Sequence, residues 1–360
     1  MRKILVVVAV STLLPASWLA AQTPKPKRVN KAIELLEQGQ PIYYTGSTGG
    51  YEEGKRLAQT PADYIDYGLE HGAFDMTRLR EFMRGLVEGG PTKSGHRTPT
   101  VIVTLPIYAT DVQSMRANSW MIHQVLAAGV HGILMCNAND PEAIRAFVEA
   151  TRYPFAPNAA GLDAKEGQTR GNGSQGYAAQ IWGLAPGDYM RKADPWPLSA
   201  DGEILLGLKI ENRWALSNAE VNTKIPGIGF AEWGPGDMGW SLLGLPDGPG
   251  GRTPTDNVIR TGFGGGGGAG AGPGAAAGGP GAGAVGGGGG GNADRVNHPA
   301  MRAARARVLA ATKEARIAFL NSCNENNVID MIKEGVMICT GGAGPAATKG
   351  REFSKRPQPW

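Results

Sequence analysis

Short apolar runs alternate along the chain with longer segments in which apolar residues recur at helical spacing. We predict eight strands from the apolar runs, at residues 41–45, 63–70, 98–106, 130–136, 204–211, 228–237, 316–321 and 336–340. Strands that alternate with helices are typical of α/β folds, in which each crossover helix returns the chain to a parallel neighbour. The pattern therefore indicates a parallel sheet or barrel.

The segments between the predicted strands carry helix signals. Residues 75–86 combine a capping aspartate with apolar residues at i, i+3, i+4 and i+7. Residues 140–148 begin with Asp-Pro, and residues 328–335 end an apolar stripe at a glycine. Eight strands with crossover helices predict a (β/α)8 TIM barrel. A doubly wound open sheet is the alternative, but no Gly-rich fingerprint follows the first strand.

The ends of the chain and one internal segment fall outside this pattern. Residues 1–21 have a basic start, an apolar run and a small-residue cleavage site, which predicts a signal peptide. We expect residues 22–40 to form a lead-in helix, residues 41–345 the barrel and residues 346–360 a C-terminal tail. Residues 262–291 are almost entirely Gly and Ala, which predicts a disordered surface insertion.

The predicted signal peptide sets the expected location. Its apolar run is short for a bilayer, so we expect cleavage and export to a bacterial periplasm or the medium, with an uncleaved anchor as the alternative. The formal charge of +4 is small and no basic stripe interleaves with aromatics, so no nucleic-acid partner is expected. Three cysteines leave at least one unpaired, and we expect Cys136 and Cys339, which end apolar runs, to be buried thiols.

Two carboxylates stand where predicted strands end. Glu211 closes one run, Asp237 closes the next, and residues 212–224 between them are predicted to be helical. Parallel strands in such a unit end at the same face, where α/β barrels keep their chemistry. Hard carboxylate oxygens are ligands that suit magnesium or manganese. The pair therefore predicts a divalent-metal site.

Several ordered stretches resemble the HpcH/HpaI aldolases. They include Glu-His-Gly-Ala-Phe-Asp at 70–75, Gly-Val-His-Gly-Ile-Leu at 129–134 and Arg-Gly-Asn-Gly-Ser at 170–174. Residues 143–154 are similar to the helix and Arg-Tyr-Pro that follow the fourth strand in this family. Ile-Glu at 210–211 and Gly-Pro-Gly-Asp-Met at 234–238 resemble its metal-site strands. The resemblance covers residues 41–342.

The resemblance implies a reaction and roles for particular residues. Family members are (β/α)8 barrels that use magnesium, manganese or cobalt to cleave 4-hydroxy-2-oxo acids reversibly into pyruvate and an aldehyde. Carried over, Glu211 and Asp237 bind the metal and His71 performs acid–base work. The backbone of Gly236 and Asp237 helps to hold the carboxylate of the 2-oxo acid. The family also implies a homo-oligomer, often a hexamer.

Two positions depart from the family pattern. Thr104 stands in the substrate pocket where the family has an arginine that grips the pyruvate carboxylate, and threonine lacks that charged fork. Gly68 stands where the family has the aspartate that orients the catalytic histidine, and Asp66 lies one pleat away. Arg170 or Arg213 could supply a substrate-binding cation from another loop.

Three functional hypotheses follow. The first is an exported, metal-dependent carbon–carbon lyase acting on a 2-oxo or 4-hydroxy-2-oxo acid, with the oxo acid and an aldehyde as its small-molecule partners. The second is a non-catalytic ligand-binding barrel that keeps the metal site without aldol turnover. The third is a different reaction of the same superfamily, such as lysis or hydrolysis of an acyl substrate. No P-loop, nucleophile elbow or zinc-protease motif competes with these.

Overall fold

The computed structural model describes residues 27–156, 169–244, 295–342 and 344–356. The predicted signal peptide, the Gly-rich segment 262–291 and the last four residues lie outside these ranges. Within the described ranges lie nine parallel strands: β1 Ile42–Gly46, β2 Tyr64–Gly68, β3 Thr100–Tyr108, β4 Gly132–Cys136, β5 Pro195–Trp196, β6 Ile204–Ile210, β7 Phe230–Trp233, β8 Ala318–Asn321 and β9 Val336–Cys339.

Eight of these strands close into a barrel. Their order is β1-β2-β3-β4-β6-β7-β8-β9, and β9 pairs with β1. The two-residue strand β5 pairs with the start of β6. The TIM-barrel prediction is confirmed and each of the eight predicted strands is present, whereas β5 carried no signal long enough to predict. The prediction that the sixth strand ends at Asp237 is wrong, because β7 ends at Trp233 and Pro235–Leu243 is helical.

The helices lie around the outside of the barrel, apart from the first, which covers its amino-terminal end. They are α1 Lys31–Glu37, α2 Tyr51–Leu57, α3 Met76–Glu88, α4 Val112–Ala117, α5 Ser119–Ala127, α6 Pro141–Thr151, α7 Gln175–Trp182, α8 Pro186–Lys192, α9 Arg213–Ser217, α10 Ala219–Asn222, α11 Pro235–Leu243, α12 Pro299–Ala315, α13 Val328–Glu334 and α14 Pro345–Phe353. Asp75 and Asp140 cap α3 and α6 as predicted, and Gly335 ends α13 in the left-handed conformation. Among the residues described, no helix is both long and apolar enough to cross a membrane.

The hydrophobic core has two parts because strand residues alternate between the two faces of the barrel wall. The larger part lies between strands and helices. The smaller part fills the barrel interior and includes Tyr44, Tyr64, Leu205 and Phe230, with Ile33 of α1 covering the amino-terminal end. The carboxyl-terminal end of the interior is polar instead, and this end carries the candidate site.

Two regions differ from the sequence expectation. Helix α14 begins at Pro345 and contains the first residues of the expected tail. Arg351 and Arg356 are buried and hydrogen-bonded to Asp63 of the barrel, so this part of the tail packs on its own chain. Cys339 forms a disulfide with Cys323, so the expectation of a buried free thiol at Cys339 is wrong, while Cys136 is free and buried. The disulfide joins the end of β9 to the loop after β8, a proximity that the parallel pairing of β8 with β9 creates.

Candidate functional site

Four carboxylates surround one ammonium at the carboxyl-terminal mouth of the barrel. We call Asp66, Glu70, Glu211 and Glu232 together with Lys209 the acidic cluster. Lys209 and Leu205 lie on the same face of β6, and the Leu205 side chain belongs to the interior core. The Lys209 side chain therefore points into the barrel. Its Nζ lies 2.7 Å from Glu70 Oε2 and 3.1 Å from Glu211 Oε2.

Glu232 pairs in register with Lys209 across β6 and β7 and is buried. Side chains of such a parallel pair lie on the same face of the sheet. Burial, partly offset by Lys209, raises the pKa of Glu232 to about 7. The carboxylate charges of the cluster exceed the single ammonium charge, which makes this end of the barrel attractive to cations.

Glu211 is held firmly at the end of β6. Its side chain is 1% exposed, and its Oε1 accepts a hydrogen bond of 2.8 Å from the backbone N–H of Asn137. Asn137 adopts a left-handed φ of 48°, a conformation that asparagine tolerates, and its Oδ1 accepts a hydrogen bond from Asn212. Burial raises the pKa of Glu211 to about 7, with Lys209 and the Asn137 N–H acting in the opposite direction.

Asp237 lies in the first turn of α11. Gly234, the N-cap of α11, packs so closely on Glu211 that a Cβ at this position would lie 3.0 Å from Glu211 Oε2. The helix geometry leaves the N–H groups of Gly236 and Asp237 without intrahelical acceptors, and Gly236 faces open space. This open first turn is a suitable place for a carboxylate ligand.

The structure brings together a set of possible metal-ligand side chains that differs from the predicted pair, Glu211 and Asp237. Ligand atoms of Glu70, Cys136 and Glu211 all lie within 4.8 Å of one another, and Asp237 is not part of that group. Burial raises the pKa of the Cys136 thiol well above its usual value. Glu211 is therefore common to both sets, and the role of Asp237 as a ligand stays a prediction.

His71 stands at the mouth of the barrel. Its side chain is 81% exposed, and its Nε2 lies 3.5 Å from Glu70 Oε2. The nearest carboxylate contact of the predicted acid–base histidine is thus its chain neighbour Glu70. Asp66, considered as an orienting partner, instead accepts a 2.9 Å hydrogen bond from Thr104 Oγ1.

Thr104 and Asp66 form a pair on the interior wall between β3 and β2. Burial raises the pKa of Asp66 to about 6, although the Thr104 hydroxyl and Lys209 act to lower it. Because the Thr104 hydroxyl donates to Asp66, it is engaged by the protein. Position 104, where the resembled family has an arginine, therefore carries a neutral side chain that is hydrogen-bonded within the protein.

The two arginines considered as replacements lie in different settings. Arg170 is fully buried; its Nη2 donates to Tyr189 Oη at 2.7 Å and its guanidinium lies 4.4 Å from the ring centre of Tyr153. Tyr189 belongs to α8 and Tyr153 follows α6, and both lie in the outer part of the core. Arg213 lies over the ring of Trp214 at 4.5 Å. Arg170 therefore stabilises packing among helices in this structure.

Sequence reasoning missed Glu70, Lys209 and Glu232 as site residues. One signal was present: Lys209 interrupts the apolar run 204–210 at the same strand parity as Leu205 and Gly207, so a charge points into the barrel. The convergence of Glu70 on Lys209, 139 residues away in sequence, carried no local signal.

The residues present fit a divalent cation. The donors are hard carboxylate oxygens, as magnesium and manganese prefer, and Lys209 already places a positive group between two of them. Glu211 would hold the ion, and Asp237 in the first turn of α11 stays the second ligand that the sequence predicts. No Cβ at 234 crowds this face of Glu211.

A closed parallel barrel with an acidic centre at the carboxyl ends of its strands defines an enzyme-type α/β barrel. No family model matches the sequence. The chain is 29% identical over 139 residues to the 2-keto-3-deoxy-L-rhamnonate aldolase of Klebsiella pneumoniae, covering 39% of this chain and 45% of that protein. It is 32% identical over 122 residues to the hydroxypyruvate/pyruvate aldolase of Deinococcus radiodurans, covering 34% and 37%. The chain thus spans less than half the length of these relatives.

The fold is shared with an HpcH/HpaI aldolase/citrate lyase family protein from Burkholderia cenocepacia J2315. The TM-score is 0.57 at 18% identity, covering 91% of this chain and 98% of that structure. Together the sequence and structure matches support the assignment of this chain to the HpcH/HpaI aldolase family, as its motifs predicted.

Proposed function

We propose that the protein is a divalent-metal-dependent lyase of the HpcH/HpaI kind, acting on the carbon–carbon bond of a 4-hydroxy-2-oxo acid. The observation that carries the proposal is the surplus of carboxylates around Glu211, beneath the open first turn of α11. The relatives named as aldolases support the reaction class.

The chain's own residues suit this reaction. Glu211 and Asp237 would hold magnesium, manganese or cobalt, which when bound supplies Lewis acidity to the 2-oxo acid. The free N–H groups of Gly236 and Asp237 would orient the substrate carboxylate. Buried walls around Glu211 and Glu232 keep water away from these charges.

Cleavage requires two proton transfers, one from the substrate hydroxyl and one to the product enolate. The C4 hydroxyl loses its proton, the C3–C4 bond breaks to release an aldehyde, and C3 of the resulting pyruvate enolate takes up a proton. In this proposal His71 carries both proton movements, and its exposed Nε2 at the mouth, 3.5 Å from Glu70 Oε2, supports that role.

The second candidate is a ligand-binding barrel without aldol turnover. It is favoured by one observation: the Thr104 hydroxyl is bonded to Asp66, so the third strand offers no cation to a substrate carboxylate.

The test is pyruvate release from a panel of 4-hydroxy-2-oxo acids with added Mn²⁺. We expect Glu211→Gln and Asp237→Asn to abolish turnover and His71→Gln to reduce it about 10²- to 10⁴-fold, the usual worth of an acid–base group. Glu220→Gln, which breaks an exposed pair with Arg307, is the matched control and should leave turnover unchanged.

Each result separates the hypotheses. Turnover that survives Glu211→Gln contradicts the metal-lyase proposal. Mn²⁺ binding without turnover on any substrate of the panel favours the ligand-binding barrel.

A further inference from the structure

Lys209 occupies the place in the acidic cluster where a cation is needed. Its ammonium bridges Glu70 Oε2 and Glu211 Oε2 at 2.7 and 3.1 Å, and its side chain is 13% exposed. A metal ion bound to Glu211 would have to share that carboxylate with a positive charge at contact distance. Two cations so close repel each other strongly where water is scarce.

Lys209 also has other carboxylates within reach. Glu70 is the nearer of its two partners, and Glu232 stands beside it in register on β7. The lysine side chain has a flexible four-carbon stem and a compact charge, so it can rotate away from Glu211 while keeping its salt bridge with Glu70. The backbone of β6 need not move.

We propose that Lys209 is a tethered counter-cation that competes with the divalent metal for Glu211. In the metal-free protein it neutralises Glu211; when metal binds, it moves onto Glu70 and Glu232. The inference rests on the metal site of the proposed function and adds a residue that sets the affinity of that site. Without such an ammonium, the metal-free barrel would hold four converging carboxylates with no cation of their own.

The proposal is tested by measuring Mn²⁺ affinity directly, by calorimetry and by electron paramagnetic resonance of the free ion. We expect Lys209→Gln to bind Mn²⁺ about tenfold more tightly or better, because the competing charge is gone. The same variant should show a larger rise in Tm on Mn²⁺ addition than the wild type. Lys209→Arg keeps the charge and should bind Mn²⁺ no more tightly than the wild type.

A second measurement does not depend on the folding of a variant. Crystal structures of the wild-type protein with and without Mn²⁺ should show Lys209 Nζ leaving Glu211 while keeping its contact with Glu70. An ammonium that stays at contact distance from a metal-bound Glu211 overturns the proposal.

The outcomes also separate this proposal from the proposed function. If Glu211→Gln and Asp237→Asn lose Mn²⁺ binding but Lys209→Gln binds as the wild type does or more weakly, the competition is wrong and the metal site stands. If neither the wild type nor Lys209→Gln binds Mn²⁺, both are wrong. Weak binding in the wild type with tight binding in Lys209→Gln supports both.

Discussion

At the scale of single residues, the candidate site depends on a glycine as much as on its acids. Gly234 has φ −84° and ψ 93°, which other residues also adopt, so its importance is not conformational. A Cβ there would lie 2.7 Å from Glu211 Cβ and 3.0 Å from Glu211 Oε2. Because residue 234 has no side chain, the Glu211 side chain can pack directly against the start of α11.

Gly234→Ala should therefore damage the site through contact alone. We expect about 1–3 kcal/mol lower free energy of unfolding from overpacking, measured by urea denaturation. Because Glu211 must shift, Mn²⁺ affinity should fall about 10- to 100-fold, as for other changes that disturb ligand orientation.

The matched control is Gly176→Ala, an exposed position in α7 where a new Cβ meets nothing within 4 Å. It should leave Mn²⁺ affinity unchanged and be neutral or stabilising by about 0.4–1 kcal/mol. Equal behaviour of the two variants would contradict the steric role of Gly234.

At the scale of elements, the turn into β4 is organised by a buried histidine. His131 Nδ1 accepts a 3.2 Å hydrogen bond from the backbone N–H of Val101, and its ring stacks on Trp182 of α7 at 5.4 Å. It thus ties the starts of β3 and β4 to a helix. The family-like motif at 129–134 contains this residue, and in this structure its role is architectural.

His131 should make the protein sensitive to acid. Burial, with a smaller contribution from His96, lowers its pKa to about 3, whereas an unfolded histidine titrates near about 6.5. The unfolded state therefore takes up a proton first as the pH falls. The stabilisation from neutral His131 is complete above pH 6.5 and declines by about 1.4 kcal/mol per pH unit down to pH 3.

The measurement is the free energy of unfolding of the wild type and His131→Gln between pH 8 and pH 4. Asp66, Glu211 and Glu232 have raised pKa values and contribute the opposite slope between about pH 4 and 7, equally in both proteins. The advantage of the wild type over the variant should shrink below pH 6.5. An advantage that is constant with pH would show that His131 is not buried as a neutral base.

At the scale of the whole molecule, one buried carboxylate joins the two ends of the described chain. Asp63 precedes β2 and accepts hydrogen bonds from Arg351 of α14 and from Arg356, while Lys31 of α1 lies 3.3 Å away. Burial opposes ionisation of Asp63, but these cations outweigh it and lower its pKa to about 2. Asp63 thereby ties α1, which covers the amino-terminal end of the barrel, to α14, which packs with the outer part of the core.

Asp63→Asn should destabilise the whole barrel. Removing the anion leaves buried cations without their partner, which typically costs about 3–5 kcal/mol. Urea denaturation should show this loss, while Asp330→Asn, whose side chain is 82% exposed, should change stability by less than about 0.5 kcal/mol. A loss as small as that of the control would mean that the network does not hold the ends together.

The disulfide between Cys323 and Cys339 belongs to the same scale. It links the loop after β8 to the end of β9 at the mouth of the barrel. Such bonds persist in oxidising compartments, the setting that the N-terminal segment predicts.

Much of the fold was readable from local pattern. The apolar runs specified eight strands, and Asp75, Asp140 and Gly335 marked helix ends that the structure confirms. Glu211 was recognisable because a carboxylate at the end of a buried strand stands out in an apolar run. These features depend on neighbours within about one helical turn or a few strand residues, so the sequence contains them directly.

The rest required the closed barrel. Lys209 meets Glu70 across 139 residues, and Asp63 meets Arg356 across 293. Such pairs depend on strand register and on ring closure, which no local pattern encodes. The sequence by itself determined the barrel, the aldolase-like motifs and the strand-end carboxylate Glu211. Only the tertiary structure placed an ammonium among the carboxylates, because long-range convergence decides which charges share a buried space.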